Sequence, residues 1–262
     1  MNKLRGVQKM AEKIADIKNK LELATLEERE QLFSFYSGDE RAGVVKLVEK
    51  YRKEQQKLEG EYARVKAMHL YEDKYKEYSY ICGIDEVGRG PLAGPVVACA
   101  VILPKDCEIL YINDSKKLSE KKREELYDEI MEKAIAVGVG SLPPSRIDEV
   151  NILNATYEAM QQAIHNLKVT PDLLLNDAVT IPNVAIKQVP IIKGDAKSVS
   201  IAAASIIAKV TRDRIMVAYD TIFPAYGFAS NKGYGSKEHI EALQKYGPTP
   251  LHRRSFIKNF IQ

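Results

Sequence analysis

Four carboxylates stand in this chain where a carboxylate is either costly to bury or set in special geometry: Asp85, Glu86, Asp177 and Asp195. The pair Asp85-Glu86 closes the apolar run Tyr80-Ile81-Cys82-Gly83-Ile84 and is followed at once by Val87-Gly88-Arg89-Gly90, a turn whose two glycines let a ligand approach the backbone. Asp177 closes a second apolar run, Asp172-Leu173-Leu174-Leu175-Asn176, and Asp195 follows Lys193-Gly194 where a long helical stretch opens. Ligands bind beyond the strand ends along one edge of an α/β sheet, so the four acids can converge there. Acids gathered without a cation repel one another and raise their own pKa values, and a hard divalent ion, Mg²⁺ or Mn²⁺, resolves that conflict.

Each acid also has a plainer reading. Alone, Asp195 is a helix N-cap. Asp177 alone is a turn initiator ahead of Thr180, Pro182 and Asn183. Asp213 is structural, because Lys209 precedes it by one helical turn. Asp85 and Glu86 are consecutive strand residues that point to opposite faces, so both need not be ligands.

The elements that must position these groups fall into two textures. Residues 1–78 hold no strand-like run and read as a helical extension. Thr25 with Glu28 forms a capping box for a short helix through Phe35, closed by Ser37-Gly38. Beyond it Val44, Val48, Tyr51, Leu58, Tyr62 and Val65 form a seam interrupted by Gln55, expected to pack within the chain rather than to dimerise. Residues 79–262 form the second domain, with strands at Tyr80 to Asp85, Val96 to Leu103, Ala136 to Leu142, Asp172 to Asn176 and Val189 to Ile192. Helices are expected at Ser119 to Lys133, Ile152 to Leu167 and Ser198 to Ile222. Paired strands first and alternating helices after indicate an α/β fold layered on one mixed sheet.

With 262 residues, 45% of them hydrophobic, there is ample material for a core. The net charge of +3 does not announce a polyanion binder, yet the positive charge is segregated. Residues 187–214 and 228–262 each carry six basic residues against two acidic ones. The three cysteines, Cys82, Cys99 and Cys107, lack metal-ligand spacing and fit a reduced, cytoplasmic compartment. Met1 to Lys20 has no apolar signal-peptide core, and the apolar run Pro91 to Pro104 is too short and broken to span a bilayer. A soluble monomer is expected.

The run Gly83-Ile84-Asp85-Glu86-Val87-Gly88-Arg89-Gly90-Pro91-Leu92-Ala93-Gly94-Pro95 resembles the signature of type 2 ribonucleases H (ribonuclease HII). So do Asn113-Asp114-Ser115-Lys116-Lys117-Leu118-Ser119, Lys193-Gly194-Asp195 leading to Ala202 through Asp213, Lys232-Gly233-Tyr234, and His252-Arg253-Arg254-Ser255-Phe256. The resemblance spans about residues 79–262, in order and at family-like intervals. It implies a ribonuclease H-like mixed sheet flanked by helices, with C-terminal helices. It puts Asp85, Glu86, Asp177 and Asp195 on the family's four acidic, metal-holding positions. Gly88, Arg89 and Gly90 fall on its backbone-recognising tripeptide, Lys116 on a phosphate contact beside Asn113 and Ser115, and Tyr234 on the tyrosine that stacks beneath the junction sugar. The implied substrate is an RNA/DNA hybrid or a duplex DNA with an embedded ribonucleotide. Phosphodiester hydrolysis by two metal ions agrees with the acids themselves. Type 3 enzymes carry Ser-Gly after the acidic pair, a Glu as fourth acid and a β-containing N-terminal domain, whereas this chain has Val87-Gly88, Asp195 and a helical extension. A P-loop reading of Gly83 to Gly90 fails for want of Gly-Lys-Ser/Thr and because two acids would sit in the phosphate cradle. A non-catalytic nucleic-acid binder would explain the basic C-terminal half but not the acids.

Overall fold

The computed structural model describes residues 12–261, so most of the charged stretch at the start of the chain lies outside the described residues. It divides into two compact units, Met1–Arg64 and Val65–Gln262.

In the first unit α1 (Ile14–Leu23), α2 (Leu26–Tyr36) and the start of α3 (Ala42–Met68) bury Ile17, Leu21, Phe33, Tyr36, Val44, Val48 and Tyr51 together. The capping box forms as expected: the Thr25 hydroxyl accepts from the Glu28 amide, and Glu28 accepts from the Thr25 amide at 2.8 Å. The first half of the α3 seam is therefore filled by α1 and α2. Gln55, the polar interruption, is buried and donates to Glu30 at 2.9 Å and to Glu59 at 3.0 Å.

The second unit is built on a five-stranded mixed sheet of order β3-β2-β1-β4-β5. Strands β1 (Ile81–Val87), β2 (Val96–Ile102) and β3 (Ala136–Leu142) pair antiparallel, while β4 (Leu173–Asp177) and β5 (Lys187–Ile191) extend the sheet in parallel with β1. Strand alternation divides the core into two layers. Cys99 and Val101 face the layer of α5 (Glu120–Lys133) and α7 (Val199–Ile222). Cys82, Ile84, Ala98 and Ala100 face α6 (Pro144–His165) on the other side. The sheet flanked by helices is the α/β architecture expected. Among the described residues no helix is long and apolar enough to cross a membrane.

Three local expectations need correction. The strand holding the acidic pair runs on to Val87 because Asp85, Glu86 and Val87 pair with Cys99, Ala98 and Val97, so the acids lie within the ladder rather than after it. The helix expected from Ile152 is preceded by a further turn from Pro144, and the break falls at Asn151, at φ 68°. The Asn151 side chain accepts from the amides of Leu153 and Asn154, which caps the second segment where the sequence placed its start. Asp195 does not open the long helix: it sits in a separate 3₁₀ turn, Gly194–Ala196, and Ser198 is the N-cap of α7, accepting from the Ile201 amide.

α7 lies directly on β1. A Cβ on Gly83 would stand 2.1 Å from the carbonyl carbon of Ser200, so only glycine lets the helix backbone approach so closely. The start of α7 is held from outside by Glu72 of α4 (Leu70–Lys74), whose Oε1 accepts from the Ser198 hydroxyl at 2.6 Å, the Ser200 hydroxyl at 2.7 Å and the Ser200 amide at 3.1 Å. Tyr71, Tyr75 and Tyr78 pack beside it on Ile81, Leu173, Leu175, Ile191 and Ile201. We expect residues 65–262 expressed alone to fold, whereas a fragment starting at residue 79 loses the Glu72 clamp and this tyrosine packing. Hydrogen bonds to a charged group contribute about 1.5–3 kcal/mol, so the shorter fragment should melt roughly 5–10 °C lower. Equal melting temperatures of the two fragments would show that residues 65–78 do not belong to this core.

Candidate active site

Asp85 lies on the β1 edge facing α7 and is only 6% exposed. Its Oδ1 accepts from the Glu86 amide at 2.8 Å, and the Ser205 hydroxyl of α7 lies close enough to favour the ionised carboxylate. Burial, then the charges of Glu86 and Asp177, push the Asp85 carboxyl well above the usual carboxylate range. Glu86 is raised chiefly by burial, with Arg89, 3.4 Å away, pulling the other way. Asp177 ends β4 and accepts from the Gly194 amide at 2.8 Å, so it ties the strand end to the turn that carries Asp195. Asp195 in turn is raised by burial, then by Asp114 and Asp177. The four acids found in the sequence are thus brought together at one edge of the sheet.

The loop before α5 completes the cluster. The Asp114 side chain caps a 3₁₀ turn, Ser115–Lys117, by accepting from the Lys116 amide at 2.9 Å, and Asn113 Oδ1 accepts from the Asp114 amide. The Ser115 hydroxyl meets that of Ser205 at 2.8 Å, which links this loop to the helix residue beside Asp85. Burial disfavours the Lys116 charge, but Asp114, Asp85, Asp195 and Asp177 outweigh it and raise its pKa. Lys209 closes on Asp213 at 2.8 Å, which leaves that acid structural.

Asp114 and Ser205 were not singled out from the sequence. Asp114 approaches Asp195 only through the fold. Ser205 is one hydroxyl in an alanine-rich helix, and only its register on β1 aims it at Asp85.

Gly88-Arg89-Gly90 and Tyr234 also meet. Tyr234 is 45% exposed, and a Cβ on Gly90 would lie 3.9 Å from its ring. The Gly233 carbonyl accepts from the Leu92 amide at 2.8 Å, pinning the Tyr234 loop to the segment that follows the tripeptide. Two fully buried arginines, neither closing an ion pair among the described residues, hold these loops from behind. Arg253 donates to the carbonyls of Gly88 at 2.5 Å, Arg89 at 2.8 Å and Gly94 at 3.0 Å. Arg212 donates to those of Pro95 at 2.9 Å, Lys232 at 2.9 Å and Ala93 at 3.1 Å. Burial and the neighbouring Arg212 lower the Arg253 pKa to about 9. With the Gly88 and Arg89 carbonyls turned inward, the amides of Gly88, Arg89 and Gly90 meet no acceptor among the described residues.

A second relay ends on the tyrosine. The Thr249 amide donates to His252 Nδ1 at 3.0 Å, so the His252 proton sits on Nε2 and is donated to His239 Nε2 at 3.1 Å. His239 then donates through Nδ1 to the Tyr234 carbonyl at 2.8 Å. Both rings are buried and held neutral: burial and then His239 lower His252 to about 4, and burial lowers His239. Neither the arginines nor the histidines announced this work in the sequence, because each acts on main-chain atoms far from it along the chain.

A family model described as ribonuclease HII matches residues 82–259, and one for the ribonuclease HII N-terminal domain matches residues 13–76. The chain is 73% identical over 224 residues to a ribonuclease HII of Lachnoclostridium phytofermentans, covering 86% of this chain and 88% of that one. It is 52% identical over 250 residues to a ribonuclease HII of Clostridioides difficile, covering 95% and 98%. Among solved structures, ribonuclease H2 from Pyrococcus horikoshii superposes with a TM-score of 0.57 at 28% identity, over 67% of this chain and 93% of that one.

Proposed function

We propose that this chain, which belongs to the ribonuclease HII family and is a ribonuclease H endonuclease, cuts on the 5′ side of ribonucleotides and leaves 5′-phosphate and 3′-hydroxyl ends. Its substrates are RNA/DNA hybrids and single ribonucleotides embedded in duplex DNA, which gives it a part in removing ribonucleotides from DNA. One observation carries the reading: three unused amides at Gly88, Arg89 and Gly90 follow directly on the strand that holds Asp85 and Glu86, with an exposed tyrosine beside them. A 2′-hydroxyl is what tells RNA from DNA, and bare glycine backbone can reach it. Tyr234 offers a flat apolar face to the adjoining sugar, and Lys116 with Asn113 and Ser115 lies on the phosphate side.

The residues fit divalent ions, Mg²⁺ or Mn²⁺, by their chemistry. Asp85, Glu86, Asp177 and Asp195 are hard oxygen donors, and burial with mutual repulsion makes ionised Asp85 and Asp195 unfavourable without added positive charge. Among the described residues no three acidic, histidine or cysteine side chains close on one point as they stand, so the cluster supplies donors and charge rather than a finished shell. When bound, two such ions supply an activated water and neutralise the leaving 3′-oxygen. The protein's own part is positional: the Glu86 amide orients Asp85, the Gly194 amide orients Asp177, and Lys116 is a counter-charge to the acids.

The test is incubation with duplex DNA holding one ribonucleotide, with Mg²⁺ or Mn²⁺ and with chelator. Cutting on the 5′ side of that nucleotide in metal alone is the expected result. Equal cutting of an all-DNA duplex, or undiminished cutting in chelator, would sink the reading.

A further inference from the structure

Tyr234 has little beside it to hold its ring in place. It is 45% exposed, and its neighbours Gly233 and Gly235 lend no side chains. The direction of the ring is therefore set by the main chain, which is fixed at three points. The Tyr234 amide donates to the Asn231 carbonyl at 2.9 Å, and the Tyr234 carbonyl accepts from the Ser236 amide at 2.8 Å and from His239 Nδ1 at 2.8 Å. The first two bonds join residues at most three positions apart and move with the turn. Only the third ties it to something outside, because His239 belongs to the helix Lys237–Tyr246.

His239 is held in turn by His252, which stands in the segment that also grips the tripeptide. The Leu251 carbonyl accepts from the Gly94 amide at 2.8 Å, the Arg253 amide donates to the Leu92 carbonyl at 2.9 Å, and the Arg253 guanidinium reaches the Gly88 and Arg89 carbonyls. Two consecutive residues thus reach the two sides of the site, His252 through His239 to Tyr234 and Arg253 directly to the tripeptide. Both imidazoles are buried against Tyr226 and Phe228, at ring-centroid distances of 5.0 to 6.3 Å. An apolar ring would fill that space more cheaply, since a buried polar ring is costly unless its nitrogens are bonded. Here all four ring nitrogens are bonded, and the Thr249 amide, which can only donate, leaves one pair of tautomers that satisfies them.

We propose that His239 and His252 are positioning residues: their bonded chain fixes Tyr234 against Gly88-Arg89-Gly90 and so sets the preference for a single embedded ribonucleotide. The inference rests on the reading of Tyr234 and the tripeptide as the pocket for that nucleotide. A lone ribonucleotide offers one productive register, which a tyrosine drifting with its turn loses, whereas a continuous hybrid offers many. Neither imidazole is exposed, so its effect on cleavage passes through the tyrosine.

Two full-length variants separate this role from packing. His239→Gln sets its amide where Nε2 stood and keeps the bond to His252, but gives up the donor to the Tyr234 carbonyl. His239→Asn sets its amide nitrogen where Nδ1 stood and keeps that donor, but leaves the His252 Nε2 proton unpaired. Each loses one buried hydrogen bond, so the two melting temperatures should fall alike. Single-turnover cleavage of duplex DNA holding one ribonucleotide, measured well below melting, should drop about tenfold or more in His239→Gln, and less on a continuous hybrid. His239→Asn should recover most of that loss. In a Tyr234→Ala background His239→Gln should cost little further, because the ring it positions is gone. Equal cleavage by the glutamine and asparagine variants, or an undiminished loss in the Tyr234→Ala background, would overturn the proposal. Wild-type cleavage by Tyr234→Ala alone would remove the pocket reading itself and the proposal with it. Should a variant not fold, nitrogen-15 chemical shifts of the wild-type histidines decide: the chain requires the proton on Nδ1 of His239 and on Nε2 of His252, and the opposite tautomers refute it.

Discussion

Asp177→Asn is expected to remove nearly all cleavage while leaving the fold in place. The amide is almost isosteric, and its oxygen can still accept from the Gly194 amide as the Asp177 Oδ1 does at 2.8 Å, so the tie between β4 and the Asp195 turn survives. What goes is a hard anionic donor. Partners that merely orient metal ligands are worth 10–100-fold, so loss of a direct donor should lower single-turnover cleavage by more than about 100-fold. Stability should move the other way. Asp177 is one of the charges that raise the Asp85 pKa, and a group that holds its proton more tightly folded than unfolded loses stability as pH rises toward its folded pKa. The metal-free wild type should therefore become less stable as pH climbs above the ordinary carboxylate range, and the variant less steeply so. Adding Mg²⁺ or Mn²⁺ should raise the wild-type melting temperature more than that of Asp177→Asn. Near-wild-type turnover at saturating metal would make Asp177 a turn residue only.

The acids and the Gly88-Arg89-Gly90 turn were legible because both depend on local pattern. Asp85-Glu86 stands out against an apolar strand, and two glycines around Arg89 declare a bare turn. The layered mixed sheet was legible from period-two runs alternating with helical ones. Register and crossings were not. That Asp85 faces Ser205, or that Asp114 comes up against Asp195, depends on α7 crossing β1 at Gly83, a contact between residues more than a hundred positions apart. Asp195 was misplaced at the helix start because Lys193 takes a left-handed conformation, φ 58°, which turns the chain once more before Ser198 caps α7. A lysine seldom adopts that conformation, so composition gave no hint of the extra turn. The motif around His252 and Arg253 could be recognised, but its work could not, since buried side chains that bond main-chain carbonyls leave no periodic trace.

That hidden work makes Arg253→Lys the second variant of large expected effect. A guanidinium is a flat fork of five donors, and here it reaches four carbonyls, of Gly88, Arg89, Gly94 and Pro95, from a fully buried position. Lysine keeps the charge but is a single point on a shorter reach, so at least one or two of these carbonyls lose their partner in the interior. A buried polar group left unpaired costs about 1–3 kcal/mol, which for a unit of this size lowers the melting temperature by roughly 5–10 °C. The burial that lowers the arginine pKa to about 9 disfavours an ammonium still more, so the replacement gains nothing back from its charge. If Arg253 served the core alone, the folded fraction would cleave as well as wild type. The geometry indicates otherwise: with the Gly88 and Arg89 carbonyls released, these peptide planes can rotate, and the amides that should meet the ribonucleotide no longer point one way. Single-turnover cleavage measured well below the variant's melting temperature should then fall by at least about tenfold on a single embedded ribonucleotide. It should fall less on a continuous RNA/DNA hybrid, where any of many ribonucleotides can be placed productively. Equal losses on both substrates, or none on either, would return Arg253 to a purely structural role.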